Sequence, residues 1–212
     1  MNLMSWILRK SKKELAIVFI ILTILIMLPA ISLIVLVASG ESVISNAIAV
    51  INPVTHFVDI FDANGKKVNE LELSTTWPTT GYISDEFGTQ DAFRSEMGFG
   101  PHTGIDIANE HGDIGSPITT FMIGTVQKVH DIDDNICGKY VKIDNGAGIT
   151  SLYCHLSVTA TTEKLVVNPG DVIGYMGKSG AATGSHLHFQ INVFDIPVNP
   201  RNFMVGEPKG TY

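Results

Sequence analysis

Two stretches decide the fold: Val172-Ile-Gly-Tyr-Met176 and His186-Leu-His-Phe-Gln-Ile-Asn-Val-Phe194, joined through Gly177-Lys-Ser-Gly180. Both are short, rich in Val, Ile, Tyr and Phe, and bounded by turn residues, which is the composition of β-strands. Working outward, Gly124–Val129, Lys139–Asp144 and Ile149–Leu156 read the same way, and Asn168-Pro169-Gly170 supplies a further break. No segment of this region sustains a 3.6-residue apolar period with helix caps. The glycine-rich breaks match neither a Walker-type phosphate loop nor a dinucleotide fingerprint, so they read as turns. Trp77-Pro78 and Gly81 mark the start of this mainly β domain, assigned to residues 77–212, with its last strand material near Phe203.

The chemistry lies in the histidines. Seven are present: His56, His102, His111, His130, His155, His186 and His188. His186 and His188 are two residues apart on a strand and share one face, with Leu187 turned to the core. His102 and Asp106 lie four apart, about 13 Å in a straight strand, but Pro101 and Gly104 favour a bend that brings both onto one ion. Strand alternation puts Tyr153 and His155 on one face and Cys154 on the other, which disfavours a Cys-His dyad. Neutral imidazoles with one carboxylate suit zinc, and a catalytic zinc site takes three protein ligands plus an open position. His56, His111 and His130, in spacer or polar loop sequence, read as surface histidines.

The blocks His102-Thr-Gly-Ile-Asp106, Leu152-Tyr-Cys-His155-Leu, Gly170-Asp-Val-Ile-Gly174-Tyr-Met-Gly177 and Thr183-Gly-Ser-His186-Leu-His188-Phe resemble the lysostaphin/LytM-type zinc endopeptidases over about residues 82–203. The resemblance implies an antiparallel β-sheet metallopeptidase domain with a long groove, one Zn2+ per chain, and the peptides of bacterial peptidoglycan as substrate. It assigns His102, Asp106 and His188 as metal ligands and His155 and His186 as catalytic groups beside a zinc-activated water. Two departures stand out. Relatives often read Phe-Gly-x-Arg where this chain has Phe87-Gly88-Thr89-Gln90, with Arg94 displaced, and no tyrosine lies between Ile83 and Pro101.

Upstream, Leu15–Ala38 is an uncharged apolar run interrupted only by Thr23, Pro29 and Ser32. At 1.5 Å per residue it reaches about 36 Å, enough to span a bilayer core of ~30 Å. Arg9, Lys10, Lys12 and Lys13 precede it, and Ser39–Pro53 holds no Lys or Arg. The positive-inside rule then predicts a single-pass membrane protein: residues 1–14 a cytoplasmic basic tail, 15–38 the transmembrane helix in the lipid bilayer, and the rest extracytoplasmic. A cleaved signal peptide competes, because Val37-Ala38-Ser39 offers small residues, but an apolar region of about 7–15 residues is usual there. Residues 39–76 form a spacer. Within it Val43–Ile51 is expected as a short helix on the membrane surface, and Phe57–Phe61, Asp62-Ala63-Asn64-Gly65 and Lys66–Leu73 as a β-hairpin.

With four basic and one acidic residue before Ser39, the exterior part carries ten Lys/Arg and twenty Asp/Glu, a net of −10. No nucleic-acid partner suits that charge. Asp131-Ile-Asp-Asp-Asn135 opens like a calcium loop, but Ile136 and Lys142 stand where that loop needs Gly and Glu, so no site is assigned. The two cysteines sit in an exterior compartment that permits a bond. If Asn145-Gly146 is a two-residue turn, Cys137 faces Cys154; a longer Asp144–Gly148 loop makes the pair diagonal. The functional reading is a membrane-anchored zinc endopeptidase of peptidoglycan. The alternative is a catalytically silent wall-binding or regulatory module of the same fold, within an envelope or secretion and transfer machine.

Overall fold

The computed structural model describes residues 48–74, 76–109 and 111–208. The expected basic tail, the Leu15–Ala38 anchor and Val43–Ala47 lie outside them. The described residues belong to one compact unit, Ser42–Tyr212.

Among the described residues the chain forms two antiparallel sheets. The smaller joins β1 (Ala49–Ile51), β2 (Val58–Phe61) and β3 (Lys67–Leu71) in that order. The expected hairpin is β2–β3, closed at Asp62–Gly65 where the Gly65 amide donates to the Asp62 carbonyl at 2.9 Å. Ala49–Ile51 does not extend a surface helix: Ala49 pairs with Ile60 and Ile51 with Val58 as a third strand. Ala49, Val58 and Ile60 are fully buried, in one core cluster with Phe203 and Met204. At about 1.5–3 kcal/mol per buried aliphatic side chain, that burial outweighs any helical preference of so short a segment.

The larger sheet holds ten strands. Its path runs β10 (Val166–Val167), β7 (Gly124–His130), β8 (Lys139–Gly146), β9 (Ile149–Thr159), β12 (Leu187–Val193), β5 (Ile105–Ala108) and β4 (Tyr82–Asp85). β11 (Val172–Met176) pairs with β9 and with β6 (Pro117–Thr119), and β13 (Ile196–Val198) pairs with β12. One helical turn, α1 (Ala92–Glu96), lies between β4 and β5, capped by the Asp91 carboxylate at the Arg94 amide; a 3-10 turn, Pro200–Phe203, follows β13. The five strands expected from composition are all present. The strands that composition did not single out, β4, β5, β6, β10 and β13, have only two to four residues each, too few to display a period.

Alternation along β12 divides core from site. Leu187, Phe189 and Ile191 are fully buried, while His188 and Gln190 between them are partly exposed on the opposite face. Phe189 packs between Phe121 and Tyr153, with ring centroids 5.4 and 5.3 Å away. β5 follows the same logic, with Ile105 and Ile107 inward and Asp106 outward. Register places Asp106 directly beside His188, and His188 directly beside Cys154 on β9. The β8–β9 turn has two residues but is displaced from Asn145-Gly146: the ladder continues to Gly146 opposite Ile149, and Ala147 and Gly148 turn with positive φ.

Candidate metal centre

His102 lies just before β5, in a bend that Gly104 makes possible. A Cβ on Gly104 would run into the Phe189 carbonyl oxygen and reach the His188 ring, so a larger residue would push β5 off β12. The bend turns His102 Nε2 back to 3.0 Å from Asp106 Oδ1. From β12, His188 Nδ1 reaches 2.8 Å from the same His102 nitrogen and 3.0 Å from the same Asp106 oxygen. Among the described residues these three form the group of donors able to share one ion. Burial works to raise the Asp106 carboxyl, but the adjoining His102 and His188 rings overcome it and hold the group well below the usual carboxylate range.

Each ligand ring is fixed from behind. His102 is buried; its Nδ1 lies 3.0 Å from the Glu86 carbonyl and 3.1 Å from Asp85 Oδ2, so Nδ1–H donates and Nε2 keeps its lone pair. His188 uses the other tautomer: Nε2 faces Gln190 Oε1 at 3.4 Å, and that oxygen also accepts from the Thr103 hydroxyl at 2.6 Å. Gln190 in turn donates to Asn192 Oδ1 at 2.7 Å.

Two further imidazoles stand beside this group. His155 lies 4.7 Å from His186 and 6.1 Å from His188, centroid to centroid. Its Nδ1–H donates to the Ser179 carbonyl at 2.8 Å, while His186 Nδ1–H donates to the Gly184 carbonyl at 3.0 Å. His186 Nε2 is 3.5 Å from Asp106 Oδ2. Burial first, then the neighbouring His186, pushes the His155 imidazole down to about 4, against the pull of the Ser179 carbonyl. His155 is therefore a neutral base at neutral pH.

The facing of β9 differs from simple alternation. Tyr153 opposes Phe189 in the core, and Cys154 opposes His188 on the site side. His155 joins the site because its φ of +62° swings it out of alternation. Two links pin that backbone: its amide donates to the Cys137 carbonyl at 2.9 Å, and Cys137 is disulfide-bonded to Cys154 with Cα atoms 5.1 Å apart. The bond forms although the displaced turn shifts the ladder, because Asn135–Gly138 folds back as a turn toward His155.

All five histidine and aspartate positions expected at the site are thus brought together. His56 is in the exposed β1–β2 connection, and His130 stacks on Tyr140 and meets Asp134 at 2.7 Å. His111 is exposed but lines an open groove of about 440 Å3 beside His186, with Tyr82, Ser84, Asn109, Thr183 and Ser185. The calcium-like loop uses its acids internally: Asp133 accepts from the Gly180 amide and Asp131 pairs with Lys139. Sequence reading passed over Asp85, Gln190 and Ser179. Gln190 was visible in the pattern, since positions 188, 190 and 192 share a face.

The donor set fits zinc on its own chemistry. Three lone-pair atoms 2.8–3.0 Å apart approach the separations of about 3.3 Å that tetrahedral bonds of ~2.0–2.1 Å require. Two neutral imidazoles and an ionised carboxylate leave a fourth position open. The family model described as peptidase family M23 matches residues 100–200, the span containing all five site residues. Residues 100–200 are a peptidase family M23 domain. Within this family, the chain is 34% identical over 110 residues to the DD-carboxypeptidase/endopeptidase Mpg of Neisseria meningitidis serogroup B, covering 52% of this chain and 24% of that protein. It is 30% identical over 139 residues to the peptidoglycan DD-endopeptidase ShyA of Vibrio cholerae, covering 66% of this chain and 31% of that one. The match therefore spans about a quarter to a third of these relatives' length. Among solved structures, one of the SpoIIQ-SpoIIIAH pore forming complex aligns with a TM-score of 0.53 at 25% identity, covering 62% of this chain and 91% of that chain.

Proposed function

We propose that this chain is a membrane-anchored zinc metalloendopeptidase that hydrolyses peptide bonds in bacterial peptidoglycan, in cross-links or stem peptides, outside the cytoplasmic membrane. The observation that carries this reading is the convergence of His102 Nε2, Asp106 Oδ1 and His188 Nδ1 within 3.0 Å, with two uncommitted imidazole nitrogens beside them. His102, Asp106 and His188 would hold one zinc ion per chain, and the chemistry zinc supplies in such a set is polarisation of a carbonyl and acidification of water.

The chain's own residues do the rest. The Ser179 and Gly184 carbonyls hold both Nδ1–H groups, so His155 Nε2 and His186 Nε2 each present a lone pair to the reacting centre. One of them accepts the nucleophile's proton and returns it to the leaving amine nitrogen, a contribution of about 10²–10⁴-fold. Asp106 Oδ2 faces His186 Nε2 and stabilises positive charge gained there. The polar groove of Tyr82, Ser84, Asn109, Thr183 and Ser185 offers hydroxyls and amides to an extended peptide backbone. Residues 15–38 anchor the domain in the bilayer in this reading, with the N-terminus cytoplasmic.

The test is incubation of residues 42–212, the compact unit, with purified peptidoglycan and mass analysis of released fragments. New amine termini that disappear in His155→Asn support the endopeptidase; zinc-loaded protein that releases none on several wall chemotypes defeats it. A second reading, a binding module inside an envelope assembly, draws on the likeness to the SpoIIQ chain, which extends over nearly all of that chain. It predicts zinc retention or peptidoglycan binding with no cleavage.

A further inference from the structure

We infer that Asp85 is a positioning residue of the metal centre: held by Arg94 and Thr89, its carboxylate sets the tautomer of His102 and strengthens it as a ligand. The inference rests on the metal-binding reading above, and its grounds are geometric.

Asp85 ends β4, and the pairing of β4 with β5 puts it opposite the ligand Asp106. A register shift between Ile83 and Asp85 interrupts the ladder immediately before it. Such bulges re-aim a side chain, and here the carboxylate points at His102: Oδ2 stands 3.1 Å from Nδ1. Two carboxylates on neighbouring strands repel unless cations or donors separate them. The donors are present. Thr89 Oγ1 donates to Asp85 Oδ1 at 2.6 Å, and the Arg94 guanidinium meets Oδ2 at 3.3 Å.

The segment from Asp85 to Arg94 is shaped around His102 as a whole. The His102 amide donates to the Thr89 carbonyl at 2.9 Å, and the Gly88 amide donates to the His102 carbonyl at 2.8 Å. Asp91 caps α1 at the Arg94 amide, at 2.7 Å, which seats Arg94 where its guanidinium meets Asp85. The Glu86 carbonyl also faces Nδ1, at 3.0 Å. A neutral carbonyl would suffice to choose the tautomer. A carboxylate adds negative charge behind the ring that favours a cation at Nε2, and such outer partners are typically worth 10–100-fold in metal affinity.

The experiment measures Zn2+ affinity of the detergent-solubilised full chain by chelator competition, with the Co2+ absorption spectrum recorded in parallel. Asp85→Asn keeps the shape and a weak acceptor but removes the charge. The expected result is a 10–100-fold loss of affinity with the melting temperature of the metal-free protein unchanged. Asp85→Glu restores most of the affinity, and Arg94→Met, which leaves the carboxylate in place, costs less than Asp85→Asn. Wild-type affinity in Asp85→Asn overturns the inference and leaves the Glu86 carbonyl as the operative acceptor. An affinity loss matched by a fall in melting temperature, and not recovered by Asp85→Glu, overturns it in favour of a purely structural pair. A wild-type chain that takes up no zinc overturns both this inference and the metallopeptidase reading; equal binding by wild type and Asp85→Asn overturns only this one.

Discussion

The site contains four histidines in two pairs, and the pairs differ in what holds the far nitrogen. In the ligand pair, His102 Nδ1 faces the Asp85 carboxylate as well as a carbonyl, and His188 Nε2 faces the side chain of Gln190. In the second pair, His155 and His186 are tied only to backbone carbonyls, those of Ser179 and Gly184. A charged acceptor increases the electron density offered to a metal, whereas a neutral carbonyl orients a ring without adding charge, and burial keeps the His155 ring an uncharged base. One residue type therefore fills two roles, separated by second neighbours rather than by its own position in the sheet.

The sharpest way to break that comparison is to exchange the roles. His102→Ala removes a ligand and is expected to abolish stoichiometric zinc binding and cleavage together, read by metal analysis and fragment release. His155→Asn should instead retain about one zinc per chain while activity falls by about 10²–10⁴-fold. Asparagine is chosen because it tolerates the left-handed backbone at this position. Loss of zinc in His155→Asn would erase the distinction between the pairs.

A smaller effect sharpens it. The disulfide closes a loop over a sequence separation of 17 and ties the Asn135–Gly138 turn to β9 beside His155. Cys137→Ser with Cys154→Ser is expected to lower stability by about 3 kcal/mol and to reduce kcat more than zinc affinity, because His155 loosens while the ligands on β5 and β12 stay paired. Equal melting temperatures with and without reductant would contradict this.

The fourth prediction concerns pH. His155 titrates at about 4 when folded and near 6.5 when unfolded, so as pH falls through this window the unfolded chain takes up the proton first. The stability that this residue contributes is present above pH ~6.5 and lost progressively toward pH ~4, about 3 kcal/mol in all. Urea melts of metal-free wild type and His155→Asn at several pH values should show the variant losing less over this window. Parallel curves would mean that His155 is not held neutral by burial.

Much of this was legible in the sequence, for identifiable reasons. The five longer strands announced themselves by composition, and His186 and His188 shared a face because strand alternation is geometrically strict there. The bend at His102 was signalled by Pro101 and Gly104. Legibility failed wherever a single residue left its regular conformation. Cys154, expected on the face away from the site, pairs with His188 on the site side, and His155 joins it there only through a positive φ. The β8–β9 turn fell at Ala147-Gly148 and not at its Asn-Gly signal, so the disulfide forms through a folded-back turn and not through the simple register. Ala49–Ile51 became a strand because it pairs with β2 as the third strand of the smaller sheet and buries Ala49. Asp85 had no local signal at all, being 17 positions from the ring it meets. The Leu15–Ala38 segment lies outside the described residues and rests on its composition.

The most direct test of the central claim is X-ray absorption at the zinc edge on the zinc-loaded protein, compared with His155→Asn. The account predicts two imidazole ligands and two oxygen ligands per zinc, with identical spectra for both proteins. A third or fourth imidazole in the wild type, lost in His155→Asn, would contradict it, because His155 would then be a ligand and the division between the two histidine pairs would not exist.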